Sequence, residues 1–287
     1  MAYWDTFHSR LEITAELVAK TGLRVGVGGE PAEPTASDLP IIKDSEGKPF
    51  IPGSSLRGVL RSHIERIVRT LELKGRRGRG ACHPVDEGTW CIRRGNCLTK
   101  GETYDPTKDY EAIGIEDLRE RAKDDKEFAD FVVYESCRVC RVFGSTWLAS
   151  RVKIADLHLI GGGHVENRDG VAIHRDKETV MHKYDFEAVP AGTRFRLNIL
   201  AENLEPAERG LLWLGLQELA REHIHVGGFK GRGLGQVKLE KLEIKGVEGS
   251  DREALKAYLL KGKMEPIETT EADGWLKALL EEMEGGA

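Results

Sequence analysis

The sequence predicts an α+β chain built on a ferredoxin-like βαββαβ core. Three observations carry this: four segments with the two-residue apolar period of half-buried strands, two with the rhythm of amphipathic helices, and the order in which they alternate. The first strand is the clearest. Leu11, Ile13, Ala15 and Leu17 alternate with Arg10, Glu12, Thr14 and Glu16, and the segment Gly28 to Asp38 then reads as a loop of glycine, proline and polar residues. In the run Ile51-Pro-Gly-Ser-Ser-Leu-Arg-Gly58 and onward to Arg69, a serine is expected to cap a helix whose apolar stripe is Leu56, Leu60, Ile64, Ile67 and Leu71. Arg57, Arg61, Arg66 and Arg69 fall largely off that stripe. The remaining strands are expected at Arg151 to Ile160, Thr193 to Leu200 and Gln236 to Ile244. A second helix starts near Pro206 and turns Leu212, Leu216, Leu219 and Ala220 inward.

Two segments interrupt this order. Residues 73–136 lack a core rhythm and read as an insertion, with an acidic helix-prone run from Ile113 to Phe128. Residues 161–190 are too long for a turn and carry alternating Val171 and Ile173, then Val180 and His182, which suggests a projecting β-hairpin. The expected organisation is one domain over 1–245 containing both segments, followed by an acidic helical tail over 246–287. In the tail, Trp275, Leu276, Leu279 and Leu280 suit an amphipathic helix resting on the domain or on a neighbouring subunit.

With 287 residues, 40% of them hydrophobic and 32% charged, the composition excludes a disordered or fibrous chain. No apolar run approaches the roughly 18 residues of a membrane span, and Met1-Ala-Tyr-Trp-Asp5 does not open a basic region followed by an apolar stretch, so a cytoplasmic protein without a membrane partner is expected. The net charge of −5 conceals a division: ten Lys/Arg face four Asp/Glu between Arg57 and Arg94, whereas five face ten from Gly246 to Ala287. Phosphate binding depends on the local field, so the basic segment keeps nucleic acid open as a ligand. Arg76, Arg77 and Arg79 taken alone also fit a basic loop after a solvated helix.

Five cysteines in such a chain argue for thiols or a metal rather than disulfides. Cys137-Arg-Val-Cys140 is half of a zinc site by its spacing. The other half has to come from Cys82, Cys91 and Cys97, with His83 in reserve, and four thiolates would make the ion structural because no position stays open. Further along, Gly227-Gly-Phe-Lys-Gly-Arg-Gly-Leu-Gly235 mimics a dinucleotide fingerprint, but a helix precedes it and a strand follows, the reverse of what that fold needs. What is left is a backbone that can approach a ligand closely, with Lys230 and Arg232 placed to meet phosphate.

Pro52-Gly-Ser-Ser-Leu-Arg-Gly58 after an Ile-Ile-Lys-Asp segment, Cys140-Arg-Val-Phe-Gly-Ser145, and the glycine-rich loop leading into a strand together resemble the RAMP superfamily. More narrowly, they resemble the backbone subunits of the type III CRISPR complexes Csm and Cmr. The match runs in order from about Gly22 to Val237. It implies an RRM-type core gripping crRNA, stacked beside copies or other effector subunits, with a thumb hairpin wedged between bases of the crRNA and target RNA duplex. It also implies cleavage of target RNA by an aspartate in the loop before the Pro-x-x-Lys-Asp segment. Here that position is Asp38, ahead of Pro40-Ile-Ile-Lys43-Asp44, acting as base or holding Mg²⁺ or Mn²⁺. Asp44, before Ser-Glu-Gly47, is instead expected to form a turn.

By the same resemblance, crRNA contacts fall on Lys43, Gly53, Ser54, Ser55, Arg57 and Arg61 around the helix start, where free amides favour anions. They continue on Arg168, Arg175, Met181, His182 and Lys183 of the hairpin, and on Gly227, Gly228, Phe229, Lys230, Gly231 and Arg232. A zinc-bound insertion is likewise a feature of some relatives. Two other functions use the same fold: a crRNA-binding scaffold in which Asp38 is structural, and a stand-alone crRNA-processing endoribonuclease working through His8, His63, His223 or His225.

Overall fold

In the computed structural model of the chain, residues 5–27, 37–72, 75–174 and 176–285 are described. Strand β1 (Ser9–Ala19) forms where expected, with Leu11, Ile13, Ala15 and Leu17 buried on one face. A short β2 (Phe50–Ile51) leads into helix α1 (Gly53–Leu71). The insertion follows with α2 (Ile115–Arg121) and α3 (Asp125–Glu135), and α4 (Arg138–Phe143) comes directly after it. Next come β3 (Val152–Ile154), β4 (Leu157–His158), the pair β5 (Glu166–Ile173) and β6 (Val180–Ala188), then β7 (Arg194–Glu202). Helix α5 (Pro206–Ala220), β8 (Val237–Glu248), α6 (Arg252–Lys261), β9 (Glu265–Pro266) and α7 (Thr269–Glu284) complete the order.

The main sheet runs β3-β7-β1-β8-β9 with every neighbouring pair antiparallel. Ile13 stands opposite Ile199 on one side and Ile244 on the other, so a row of branched side chains crosses the three central strands on the buried face. Helices α1 and α5 pack against each other closely because Gly215 has no side chain: a Cβ there would lie 2.8 Å from Ile64 Cδ1. The opposite face of β1 and β7 presents Glu12, Thr14, Glu16, Arg196 and Asn198, and Arg194 ties Glu16 to Glu240 at 2.6 and 2.9 Å. With no aromatic ring on that face of the two strands, bases have nothing to stack on there.

The expected cap of α1, its apolar stripe and the second strand need correction. No serine caps α1. Pro52 occupies the N-cap and the Asp156 carboxylate accepts the Gly53 N–H at 2.8 Å. That use of Asp156 also explains why the strand expected over Arg151 to Ile160 divides into β3, paired with β7, and β4, paired with β2. The α1 stripe ends on Val68, while Ile67 is half-buried and Leu71 exposed. The insertion has an apolar cluster of its own, including Ile92, Tyr104, Ile113, Leu118 and Val132. The acidic tail packs on the domain: Trp275 and Leu279 of α7 are buried against α5, Trp213 Nε1 donates to Asp273 at 2.9 Å, and a Cβ on Gly210 would strike Trp275 O at 2.2 Å. Among the described residues no helix is long and apolar enough to cross a membrane.

Candidate nucleic-acid interface and metal centre

Asp38 is exposed and lies at the root of the β5–β6 hairpin, whose strands pair from Glu166↔Ala188 to Ile173↔Val180. Its backbone N–H donates to Asp185 Oδ1 and its own Oδ2 accepts the Asp185 N–H, both at 3.1 Å. The hydrogen bond from Asp38 holds the Asp185 carboxyl below the usual carboxylate range. The next residues continue the attachment to β6. Glu187 N–H donates to Leu39 O at 3.1 Å, and the Glu187 side chain accepts from the Ile41 N–H and from Lys43 Nζ at 3.0 and 2.8 Å. Lys43 is therefore an anchor of this loop in an ion pair. Asp44 closes the expected turn, accepting from the N–H groups of Glu46 and Lys48 at 2.9 Å each.

The glycine-rich loop reaches the same place. Phe229 adopts φ 58°, and Lys230–Arg232 make a single 3₁₀ turn. Gly227, at φ 85°, passes so close to Arg24 that a Cβ would lie 2.1 Å from the Arg24 carbonyl. The Phe229 ring is flanked by Arg24 at 5.2 Å and Arg232 at 5.0 Å and meets Phe186 edge-on at 5.0 Å. Phe186, Ala188 and Leu234 are buried with Leu39, Tyr184 and Phe229 around them. One small apolar cluster thus fastens the Asp38 loop, the hairpin root and the glycine loop together. Arg24 had no sequence pattern to single it out.

Behind this junction, Val59, Ser62, His63 and Arg66 of α1 face His223, His225 and Lys230 across a groove of about 430 Å³. Lys230 is held below its usual pKa by burial and by Arg66 nearby. His63 Nδ1 faces Arg66 Nη2 at 2.9 Å. Because guanidinium only donates, His63 accepts there and donates from Nε2 to Glu218 at 2.9 Å. His223 shares Glu218 at 3.2 Å. His8 is elsewhere, at the start of β1, where its N–H meets Asn203. Ser62 and Arg66 belong to this groove although neither stood out in the RNA-contact pattern.

The other expected contacts divide by direction. Gly53 lies against the β3–β4 corner, where a Cβ would be 2.1 Å from Ile154 O, while Ser54 is exposed and Ser55 half-buried. Arg57 and Arg61 turn toward α4: Arg57 donates to Phe143 O, and Arg61 to Glu65 at 2.7 Å, Gly144 O at 2.8 Å and Cys140 Sγ at 3.4 Å. Both guanidiniums satisfy the carbonyls at the end of α4. On the hairpin, Met181 and His182 are exposed and Lys183 pairs with Asp169 at 3.1 Å. Arg168 bonds Glu166 at 2.9 Å near Gly22, and Arg175 lies outside the described residues. Gly228 is half-buried near Arg24, and Gly231 has open space around it.

Cys82, Cys91, Cys137 and Cys140 are all buried, with their sulfurs within 4.8 Å of one another. Cys97 is excluded from the set. Its N–H bonds the Asp117 carboxylate at 2.8 Å and its thiol stands apart. The Sγ distances of 3.6 Å from Cys82 to Cys140 and 3.9 Å to Cys137 rule out a disulfide. A tetrahedron with zinc–sulfur bonds of about 2.3 Å has edges of about 3.8 Å, so the donors fit a metal ion such as zinc. Charge leads to the same conclusion. Four thiolates this close together repel one another unless a cation lies between them. Arg69 braces the site from α1 by donating to Cys82 O at 2.9 Å.

Three curated relatives match part of the chain, each bearing the name CRISPR system Cms endoribonuclease Csm3. That of Methanothermobacter thermautotrophicus (strain Delta H) is 43% identical over 60 residues, 21% of this chain and 24% of the relative. Those of Enterococcus italicus and Mycobacterium tuberculosis are 39% and 37% identical over 62 residues, again 21% of this chain and 29% and 26% of theirs. The chain thus spans about a quarter of the length of each of these relatives. The RAMP superfamily model matches residues 16–238, from β1 through the insertion, the hairpin and the glycine-rich loop into β8. With the match spanning both the sheet and the junction at Asp38, the chain belongs to the RAMP superfamily.

Proposed function

We propose that this chain is a crRNA-binding backbone subunit of a type III CRISPR interference complex, acting in the cytoplasm, and that it cuts complementary target RNA at Asp38. On this reading the order β8-β1-β7-β3, with α1 and α5 on one face, is a ferredoxin-like, RRM-type core. The β5–β6 hairpin is the thumb. The observation that carries the proposal is the shared cluster of Leu39, Phe186 and Phe229, which joins the Asp38 loop, the hairpin root and the glycine-rich loop. A strand lying in the groove beside Lys230 and Arg66 would run toward that junction, while exposed Met181 and His182, near the hairpin tip, would part its bases from a paired target.

The chemistry is transesterification. The target's 2′-oxygen attacks the adjacent phosphorus, its proton leaves to a base, and the 5′-oxygen departs and takes a proton from water, giving a 2′,3′-cyclic phosphate and a 5′-hydroxyl. Asp38 uses Oδ2 to hold the Asp185 N–H, and Oδ1 has no hydrogen-bond partner among the described residues. Oδ1 is therefore the atom that takes the proton, or that holds Mg²⁺ or Mn²⁺ with Asp185 beside it. Such an ion would neutralise charge on the phosphate oxygens. Zinc at the four cysteines would be structural, pinning the insertion to α1.

The rival is a scaffold that binds crRNA without cutting, and the reciprocal Asp38–Asp185 clamp favours it because it gives Asp38 a structural task. The test is a reconstituted complex with labelled complementary RNA and Mg²⁺ or Mn²⁺, comparing wild type with Asp38→Ala and Asp38→Asn at equal RNA occupancy. Evenly spaced cuts that vanish in both variants support catalysis. Cuts retained by Asp38→Asn remove Asp38 from the chemistry, and a wild type that binds guide and never cuts leaves the scaffold.

A further inference from the structure

The insertion holds a second basic cleft that the proposed function leaves without a role. Arg76, Arg77 and Arg79, together with Trp90, Arg93 and Tyr134, wall a cavity of about 790 Å³. Sites that enclose a small organic ligand run about 300–1,000 Å³, so one or two nucleotides fit. Asp109 and Glu111 at the rim are outnumbered by the arginines. At the floor, Arg76 and Arg77 share one buried carboxylate, with their Nε atoms each 2.8 Å from Glu135, which also accepts the Tyr104 O–H at 2.7 Å. Arg76 also reaches the exposed Asp109 at 3.7 Å, so these two guanidiniums form a paired floor and the charge offered to a ligand comes from Arg79 and Arg93. Arg79 is exposed, with no hydrogen bond or ion pair from its side chain among the described residues, and Arg93 Nε is buried without a partner. The rings already behave as cation acceptors: Arg77 lies 5.3 Å from the Tyr134 centroid and Arg94 lies 5.6 Å from that of Trp90.

We infer that this cleft binds a short single-stranded segment of RNA, with phosphates on Arg79 and Arg93 and bases against the Trp90 and Tyr134 rings. Arginine's planar fork suits phosphate oxygens, and an aromatic ring accepts any base, so the pairing of the two residue types favours a nucleotide over an acidic peptide. Asp109 and Glu111 oppose any polyanion alike, so the stacking faces of Trp90 and Tyr134 are what favour a nucleotide. The inference rests on the proposed function only in taking RNA to be this chain's ligand. The groove beside Lys230 lies between α1 and the glycine-rich loop, outside the insertion, so the two sites can fail separately.

The test uses the full chain and a fluorescent oligouridylate of about ten nucleotides, within the usual site size of single-strand binders. Binding is read by anisotropy over a range of salt, and contacts by photocross-linking of a 4-thiouridine version. Zinc content serves as the check on folding. Arg79→Glu and Tyr134→Ala are each expected to weaken binding about tenfold, and Arg79→Glu to lower the salt slope by about one. Arg79→Lys should restore part of the affinity, and cross-links should fall on residues 88–93 and Tyr134. If uridine monophosphate displaces the oligomer at comparable concentration, the ligand is a free nucleotide in the same cleft; failure to compete assigns a strand. Cleft variants that bind as wild type while Lys230→Glu binds weakly would overturn the inference and leave the proposed function standing, which is also what a cleft serving a protein segment would produce. Indifference to every variant would remove both.

Discussion

Exchanging a single sulfur separates the five cysteines into two classes. Cys91→Ser removes a donor from a cluster whose sulfurs lie within 4.8 Å of one another, whereas Cys97→Ser alters a thiol outside it. Wild type and Cys97→Ser should therefore each carry about one zinc per chain, and Cys91→Ser should carry little, since a serine hydroxyl does not supply a thiolate. The consequence for stability follows from linkage: at free zinc a thousandfold above its dissociation constant, the ion contributes about 4 kcal/mol. For a chain of this size that is about 7 °C in melting temperature. Removal should also be felt locally. The contacts from Arg61 to Cys140 and from Arg69 to Cys82 join the metal loops to α1, so hydrogen exchange should rise over 81–97 and 137–144 while the central strands β1, β7 and β8 stay protected. Metal analysis, thermal melts with and without chelator, and exchange mass spectrometry read these outcomes. Zinc lost from Cys97→Ser, or Cys91→Ser retaining both zinc and melting temperature, would refute the assignment of ligands.

Gly227→Ala should destabilise the chain by at least about 2 kcal/mol in urea titration, since the left-handed conformation costs a side chain roughly 1–2 kcal/mol before its clash with the Arg24 carbonyl is counted. For Asp185 the folded pKa is depressed, so its contribution is fully present above the ordinary carboxylate value of about 4 and disappears as pH falls through the lower folded value. Amide exchange at Asp38, whose N–H donates to that carboxylate, should accordingly accelerate below about pH 4, and Asp185→Asn should abolish the acid dependence.

The parts of the fold that were legible in the sequence are those whose side chains obey a period. β1, β7 and β8 alternate, and α1 and α5 carry inward stripes. The insertion's core was invisible for a physical reason. Its buried residues, among them Ile92, Tyr104, Ile113 and Val132, come from loops and short helices whose spacing has no period, and only the tertiary fold brings them together. The division of the expected second strand has the same origin. Asp156 breaks the run by serving the first turn of α1, more than a hundred residues earlier, and a local pattern cannot reveal so distant a partner. The cysteine set was narrowed by spacing to one pair and three candidates, and was completed by geometry once Asp117 drew Cys97 aside.

The arginines of α1 show where sequence reading stops. A guanidinium on a long flexible stem reaches several ångströms either way around a helix, so position on the wheel does not decide whether it meets a ligand or its own protein. Arg57, Arg61 and Arg69 hold the end of α4 and the metal loops. Arg66, on the same helix, lines the groove opposite Lys230. Glu65 separates the two uses: buried on α1, it draws Arg61 to 2.7 Å and Arg69 to 3.6 Å, toward the side away from the groove. The helix therefore serves as a brace on one side and a cationic wall on the other. The carboxylate that sorts its arginines between these tasks could not be distinguished by sequence from any other acid in a helix.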